Sequence, residues 1–149
     1  MALQRARMVV SHVSIGTNDF DKAVAFYDRV MAALRFERTV EFPGAVAYGR
    51  DGLPIFWVQT PINGEKATVG NGTHIGFDAE DKEMVTKFYE AALAAGGTDD
   101  GAPGPRPDYG EAYFGGFVRD LDGHKIEATY WDMEKMLDQT RGLRSSAAK

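Results

Sequence analysis

The sequence has 149 residues, of which 44% are hydrophobic, which is enough to bury one sizeable core in one domain over residues 1–149. It contains no cysteine, which excludes disulfides, thiolate metal ligands and a cysteine nucleophile. A net charge of −5, no secretion leader and no apolar run of about 20 residues predict a cytoplasmic protein that binds neither nucleic acid nor membrane.

The first half of the chain predicts a strand, a helix and three more strands. The first strand covers residues 9–16, and Asn18 or Asp19 is suited to cap the helix that follows. Three strands are predicted over 36–42, 45–50 and 54–59, with a turn at Asp51-Gly52 before the last. The helix carries apolar side chains at steps of three and four, which indicates one buried stripe: Phe20, Val24, Tyr27, Met31 and Leu34.

The second half repeats the order of the first. Asp81 is expected to cap its helix and Gly96-Gly97 to end it, and Asp122-Gly123 makes the turn before the last strand. Strands are predicted over 73–78, 112–119 and 124–131. Two loops, 60–72 and 98–111, join or decorate the halves. The tail predicts a helix over about 132–140 and a frayed end over 141–149.

An internal duplication explains this order. The stretch HVSIGTNDFDKAVAFY begins at His12, and HIGFDAEDKEMVTKFY begins at His74, with histidine first and Phe-Tyr last in both. The two copies predict an α+β fold of two βαβββ modules, about residues 9–59 and 71–131.

Strand periodicity predicts a candidate metal site. Side chains alternate across a strand, so His12, His74 and Glu127 fall on the polar face, opposite the apolar face that helices would cover. By the same alternation His124 faces away from Glu127, which excludes it as a ligand. One histidine on a strand is most often a surface residue, but equivalent histidines in two copies favour a site. Two histidines and one carboxylate suit Fe(II), with Zn, Ni or Mn as alternatives.

The two repeated segments and the closing RDLDGHKIEATYW resemble the vicinal oxygen chelate superfamily. This superfamily includes glyoxalase I, extradiol dioxygenases, methylmalonyl-CoA epimerase, fosfomycin resistance enzymes and bleomycin resistance proteins. The resemblance implies a mixed sheet curled into an open half-barrel with helices on its outer face. It also implies metal ligands on the first and last strands of each module, which pair within one chain or across two, and His12, His74 and Glu127 match three of those positions.

The fourth ligand position departs from the glyoxalase pattern. Aligning Asp51-Gly52 with Asp122-Gly123 sets Phe56 opposite Glu127, where that pattern has a carboxylate. Phe56 would then lie beside the metal and contact the substrate. Three ligands favour the extradiol dioxygenases, whereas Gln59 would need a register slip of one residue to replace the missing carboxylate.

Further candidates lie near the predicted cleft. Tyr109 and Tyr113 are candidate acids or hydrogen-bond donors, with aromatic packing as the alternative. Arg106 and Lys125 are candidates for holding an anionic substrate, with plain solvent exposure as the alternative.

The function predicted from these residues is that of a metal-dependent enzyme. Its small substrate would chelate the cation through two oxygens, in an extradiol-type dioxygenase or a glyoxalase-like lyase or isomerase, and the protein is expected to be a homodimer. The alternative is a metal-free, drug-binding protein of the bleomycin resistance type, which needs the cleft but no ligands.

Overall fold

The structure is a computed structural model that describes residues 10–146. Residue 9, where the sequence predicts the first strand and the first module to begin, and residues 147–149 of the predicted frayed end lie outside the described range. No helix in the described range is both long and apolar enough to span a membrane.

The first module forms one four-stranded sheet with one helix. Its strands lie in the order β1-β4-β3-β2, with β1 parallel to β4 and the other neighbours antiparallel. Asp19 caps the helix by accepting from the backbone N–H of Lys22, as one of the two predicted caps requires. The elements are β1 (Val13–Gly16), α1 (Phe20–Ala33), β2 (Glu37–Phe42), β3 (Ala45–Gly49) and β4 (Phe56–Gln59).

The second module repeats this topology in the order β5-β8-β7-β6, with β5 parallel to β8. Asp81 caps its helix through the backbone N–H of Met84, as predicted. The elements are β5 (His74–Asp78), α2 (Lys82–Ala94), β6 (Thr98–Gly104), a 3₁₀ turn (Pro107–Tyr109), β7 (Tyr113–Arg119), β8 (Lys125–Trp131) and α3 (Met133–Ser146). Together the two modules confirm the predicted α+β fold, with two mixed four-stranded sheets.

Several predicted boundaries were wrong, including the starts of β1 and β4, which begin later than predicted, at Val13 and Phe56. The loop expected over 98–111 contains β6, which pairs with β7 through two register irregularities and therefore completes the second module. Its sequence, TDDGAPG, lacks the apolar alternation that marks a strand. The last helix runs to Ser146 instead of ending near residue 140.

The core lies between the helices and one face of each sheet. Phe56 of β4 is fully buried and contacts Phe77 of β5, with ring centroids 5.0 Å apart, so the two modules share one core. Of the predicted stripe on α1, Tyr27, Met31 and Leu34 are buried. The opposite face of each sheet carries no helix of its own module and is called here the open face.

A polar cluster ties the two modules together at one end. The carboxylate of Asp122 accepts hydrogen bonds from the Thr17 hydroxyl at 2.6 Å and from the backbone and side-chain N–H groups of Asn18. The Asn18 side-chain amide also donates to the carbonyl of Ala67 and accepts from its backbone N–H, in the loop between the two modules. The Nε2 of His124 donates to the carbonyl of Gly16 at 2.7 Å. His124 therefore helps to join the modules.

Candidate functional site

The open face of the second sheet brings two of the three predicted ligands together. Glu127 of β8 pairs with Gly76 of β5, and His74 stands two residues before Gly76 on the same face. The Nε2 of His74 lies 3.1 Å from the Oε2 of Glu127. The Glu127 side chain is only 7% exposed, whereas that of His74 is 47% exposed. An accessible imidazole therefore stands beside a buried carboxylate.

Tyr113 holds the other oxygen of this carboxylate. Its hydroxyl donates a short hydrogen bond to the Oε1 of Glu127. Tyr113 is itself buried, between the rings of Tyr109 and Trp131 at 5.0 and 5.2 Å. Burial, and then the hydrogen bond to Glu127, raise the pKa of the Tyr113 hydroxyl above its ordinary range. The phenol therefore stays protonated and remains a donor.

Two glycines make room for Glu127. A Cβ at Gly76 would lie 3.2 Å from Oε2, and a Cβ at Gly115 would lie 3.0 Å from Oε1 and would strike the Tyr113 hydroxyl. A side chain at Gly115 would therefore displace the Tyr113 hydroxyl or the carboxylate, whereas a Cβ at Gly76 would require Oε2 to move by only a few tenths of an ångström.

Cationic groups surround the ring of Phe117 on the same open face. The Nζ of Lys125 lies 4.7 Å from the ring centroid and the guanidinium of Arg106 lies 5.8 Å away, while the His74 ring packs at 6.0 Å. Lys125 also pairs with Asp100 at 3.3 Å. Arg106 donates to the carbonyls of Ala102 and Pro105 and, among the described residues, has no carboxylate partner. Its charge is thus available to an anion.

His12 lies on the open face of the other sheet. The Ser11 hydroxyl is 2.7 Å from its Nδ1, which leaves Nε2 free. A shallow depression of about 310 Å³ joins His12 to the side chains around it, which are Ser14, Pro54, Trp57 and Gln59. His12 is therefore not one of the contacts of Glu127.

The residue opposite Glu127 in the first module is Trp57, which corrects the predicted alignment. Ser14 pairs with Trp57 in β1–β4 as Gly76 pairs with Glu127 in β5–β8. The turn after Gly52 is one residue longer than the turn after Gly123, so Phe56 is shifted to the core face. Phe56 is fully buried there and does not line the open face. Gln59 lies two residues after Trp57 and shares its face, so the register slip that the predicted alignment required is not needed.

A signal in the sequence marks this shift. Pro54 has no backbone N–H to donate to a neighbouring strand, and the central strand β4 begins after it, at Phe56.

Within the described residues of one chain, no group of three His, Cys, Asp or Glu side chains could hold a metal ion. His74 and Glu127 supply two adjacent donors, and His12 stands at the equivalent position on the other sheet. The three-ligand site stays a prediction, and a single chain does not assemble it in its described part.

Comparison with known proteins places the chain in a family. The model of the glyoxalase/bleomycin resistance protein/dioxygenase superfamily matches residues 9–128. A crystal structure of a glyoxalase/bleomycin resistance protein from Albidiferax ferrireducens is 35% identical, with 82% of this chain and 98% of that chain covered and a TM-score of 0.73. A comparison with curated proteins finds no match.

More distant structures share the fold. A fosfomycin resistance protein from Listeria monocytogenes is 18% identical, covering 87% of this chain and 98% of that one, with a TM-score of 0.62. A lactoylglutathione lyase from Agrobacterium tumefaciens is 17% identical, covering 84% and 95%, with a TM-score of 0.59. The length of the family match and the 35% identical structure lead to one conclusion: the chain belongs to the glyoxalase/bleomycin resistance protein/dioxygenase superfamily.

Proposed function

We propose that the protein is a divalent-metal-dependent enzyme whose small substrate chelates the cation through two oxygens. The observation that carries the proposal is the pair of His74 Nε2 and Glu127 Oε2, 3.1 Å apart on an open sheet face. Imidazole nitrogen and carboxylate oxygen are the donors that Fe(II), Zn, Ni and Mn accept, so the residues present fit such a cation in kind.

The third ligand in this proposal is His12 of a second copy. Two arguments support a homodimer. First, His12 and His74 occupy equivalent positions on equivalent open faces, but His12 does not reach Glu127 of its own chain. Second, β1 and β5 are edge strands, and no described strand pairs with the outer edge of either, although His124 bonds to the Gly16 carbonyl of β1; an edge without a partner strand readily meets an edge of another chain. A two-fold pairing of first and second modules would give each dimer two complete sites.

The residues around the pair have separate roles in this proposal. His12, His74 and Glu127 would hold the metal, which supplies Lewis-acid polarisation of the substrate oxygens and, as Fe(II), a position for O₂. Tyr113 fixes Glu127 through its hydrogen bond and, as the protonated phenol, is also the candidate acid, with Tyr109 packed against it. Arg106 and Lys125 would hold an anionic part of the substrate.

Two classes of reaction remain within the proposal. Three protein ligands favour Fe(II) and an extradiol-type ring opening, because Trp57 supplies no donor at the position equivalent to Glu127. Coordination by Gln59, which lies on the same open face beside His12, would instead give four ligands and favour a glyoxalase-like lyase or isomerase. The second candidate function is metal-free binding of a drug-like molecule, and Trp57 on the open face is the observation that favours it. We also propose that the protein is cytoplasmic, because a chain without cysteine has no disulfide that would need an oxidising compartment.

Mixed dimers test the proposed metal site directly. His12→Ala and His74→Ala should each abolish stoichiometric metal binding, because every site of either homodimer lacks one ligand. Unfolding and refolding the two variants together should restore about one quarter of the wild-type sites, since half of the dimers are mixed and each has one complete site. Restored binding is impossible if both histidines act within one chain. Unchanged metal content in the single variants would refute the site altogether.

Activity assays then separate the reaction classes. Protein loaded anaerobically with Fe(II) should consume oxygen with members of a catechol panel. Protein loaded with Ni or Zn is tested for the isomerisation of hemithioacetals. If the protein isomerises hemithioacetals but consumes no oxygen, the dioxygenase assignment is refuted. If it shows neither activity and binds no metal, the function that remains is metal-free binding of a small molecule.

A further inference from the structure

The loop between the two modules contains two asparagines that are each followed by glycine. Asn63 precedes Gly64, Asn71 precedes Gly72, and all four residues are exposed. At such a pair the backbone nitrogen of the glycine can attack the side-chain carbonyl carbon of the asparagine, because glycine has no Cβ to hinder the approach. The hydrogen bonds around the two pairs differ, and this difference decides which asparagine reacts.

The pair at Asn63 is restrained at both of its reacting groups. The N–H of Gly64 donates to the carbonyl of Pro61 at 3.0 Å. The Oδ1 of Asn63 accepts from the backbone N–H of Glu65 at 3.0 Å. The glycine nitrogen has to lose its proton before it attacks, and a hydrogen-bonded amide releases its proton only after the bond opens. The first bond therefore opposes the loss of the proton, and the second restrains the side chain.

The pair at Asn71 lacks both restraints. Asn71 and Gly72 lie at the centre of a turn in which the N–H of Thr73 donates to the carbonyl of Gly70 at 3.1 Å. Among the residues that the structure describes, neither the N–H of Gly72 nor the side chain of Asn71 makes a hydrogen bond. A Cβ at Gly72 would meet no atom within 4 Å, so this turn is open to water. Asn71 is therefore the reactive asparagine of the loop.

A cationic cavity adjoins Asn71. It has a volume of about 580 Å³, and its charged or titratable lining residues are His74, Arg119 and Lys125. The two cations share the carboxylate of Asp100, whose Oδ2 lies 2.9 Å from the Arg119 Nε and 3.3 Å from the Lys125 Nζ. Two positive charges thus face one negative charge, so a second carboxylate at this place would be attracted to the cavity.

We propose that Asn71 is a site of spontaneous covalent modification whose product places a new carboxylate beside Arg119 and Lys125. The nitrogen of Gly72 forms a bond to the Cγ of Asn71, the bond from Cγ to Nδ2 breaks, and ammonia leaves with the proton that the Gly72 amide gives up. Water then opens the succinimide ring at either carbonyl, which gives aspartate or isoaspartate. The reaction needs water alone, so it does not rest on the proposed function, but it changes the charge beside His74.

Peptide mass spectrometry tests the site with an internal control. Tryptic cleavage separates the two sites, because Asn63 falls in the peptide of residues 51–66 and Asn71 in that of residues 67–82. The folded wild type is incubated at mildly alkaline pH. The peptide of Asn71 should become about 1 Da heavier, since OH replaces NH₂, at least about tenfold faster than the peptide of Asn63. In urea the two rates should come within a few-fold of each other, because the hydrogen bonds that separate them are lost.

A substitution at the attacking residue checks the mechanism. Gly72→Ala should slow the modification of Asn71 at least about tenfold, because the new methyl group hinders the nitrogen. Gly52→Ala is the matched control, since Gly52 also has a positive φ and open space at its Cβ position, and it should leave the rate unchanged. Equal rates for the two peptides in the folded protein, no mass increase at Asn71, or an unchanged rate in Gly72→Ala would overturn the proposal.

Aspartate substitutions test where the new charge lies. Asn71→Asp should raise the Tm by about 1–3 °C at low salt, because the carboxylate pairs with Arg119 and Lys125, and the gain should disappear at high salt. Asn63→Asp adds the same charge outside the lining of the cavity and should not raise the Tm. If Asn71→Asp is no more stable than Asn63→Asp at low salt, the product does not pair with the two cations and the proposal is overturned in that part.

Discussion

Trp57 in the first sheet occupies the place that Glu127 occupies in the second. Each lies opposite the third residue of its module's repeated segment, Ser14 or Gly76, on the open face. One module therefore presents a carboxylate at this position and the other an indole. The two half-sites differ in chemistry although they share a fold.

The register of β4 predicts opposite effects on metal binding and stability when glutamate replaces each of two neighbouring residues, Trp57 and Phe56. Trp57→Glu adds a carboxylate to the open face beside His12, so we expect tighter binding of Ni or Zn and loss of any oxygen-dependent activity. Phe56→Glu places a charge in the shared core and should cost several kcal/mol of unfolding free energy. Metal titration and urea unfolding measure the two effects. A folded Phe56→Glu protein with increased metal affinity would contradict the register.

Gly115 should be necessary for the position of Glu127. Gly115→Ala places a methyl group against the Tyr113 hydroxyl and Oε1, so metal affinity should fall about 10- to 100-fold through the displaced carboxylate. Gly116→Ala is the matched control, because its Cβ would meet Pro103 on the other face of the strand at 3.3 Å. It should alter stability but not metal affinity in calorimetric titration. Equal loss of affinity in both variants would exclude this role of Gly115.

The buried hydroxyl of Tyr27 should make the folded protein less stable at alkaline pH. Its hydroxyl donates to Asp120 at 2.6 Å, and burial, followed by the charge of Asp120, raises its pKa well above the ordinary value. A tyrosine pKa that is raised in the folded state contributes stability below about pH 10 and loses it as the pH rises further, because only the unfolded chain then releases the proton. Urea unfolding between pH 8 and pH 11 should show this decline.

Tyr27→Phe checks the origin of that decline. It should cost about 1–3 kcal/mol at pH 8, because Oδ2 of the buried Asp120 loses its donor while Oδ1 keeps the backbone N–H groups of Asp122 and His124. Its unfolding free energy should fall less steeply above pH 10. Tyr109→Phe, at a ring that is 57% exposed, is the control and should follow the wild type. An unchanged slope in Tyr27→Phe would assign the decline to other groups.

Asp122 should stabilise the joined modules. Asp122→Ala removes the acceptor of three hydrogen bonds from Thr17 and Asn18, so the free energy of unfolding should fall by about 1–3 kcal/mol. Asp122→Asn keeps one oxygen and should lose less. Asp138→Ala, whose ion pair with Arg141 is exposed, should change stability by less than about 0.5 kcal/mol. If Asp122→Ala is no less stable than Asp138→Ala, the cluster contributes nothing to holding the modules together.

The sequence was informative where a pattern repeats. The duplicated segments and the helix caps at Asp19 and Asp81 are local signals, and the structure agrees with each of them. The position of β6 was missed because its residues, rich in Asp, Gly and Pro, pair through irregular register instead of alternating between apolar and polar faces.

The candidate site was harder to predict than the fold. Periodicity places His74 and Glu127 on one face, but a single inserted residue in the turn before β4 reverses every side chain of that strand, and so Phe56 was chosen where Trp57 stands. Within the described part of one chain His12 does not join the other two, and in the proposed dimer its place depends on how the copies pair, which no pattern within one chain encodes. The environment of Glu127, with Tyr113, Gly76 and Gly115 around it, depends on neighbouring strands and appears only in three dimensions.

The residues that join the two modules and the residues of the candidate site lie on opposite faces of the sheets. Phe56 and Phe77 join the modules on the helical side, while Trp57 and Glu127 stand on the opposite side of the same strands or their neighbours. A mutation on the open face therefore leaves the joining contacts intact. After a gene duplication, each half could accumulate such changes independently, so that successive generations acquire new ligands or new substrates without first having to regain a folded protein.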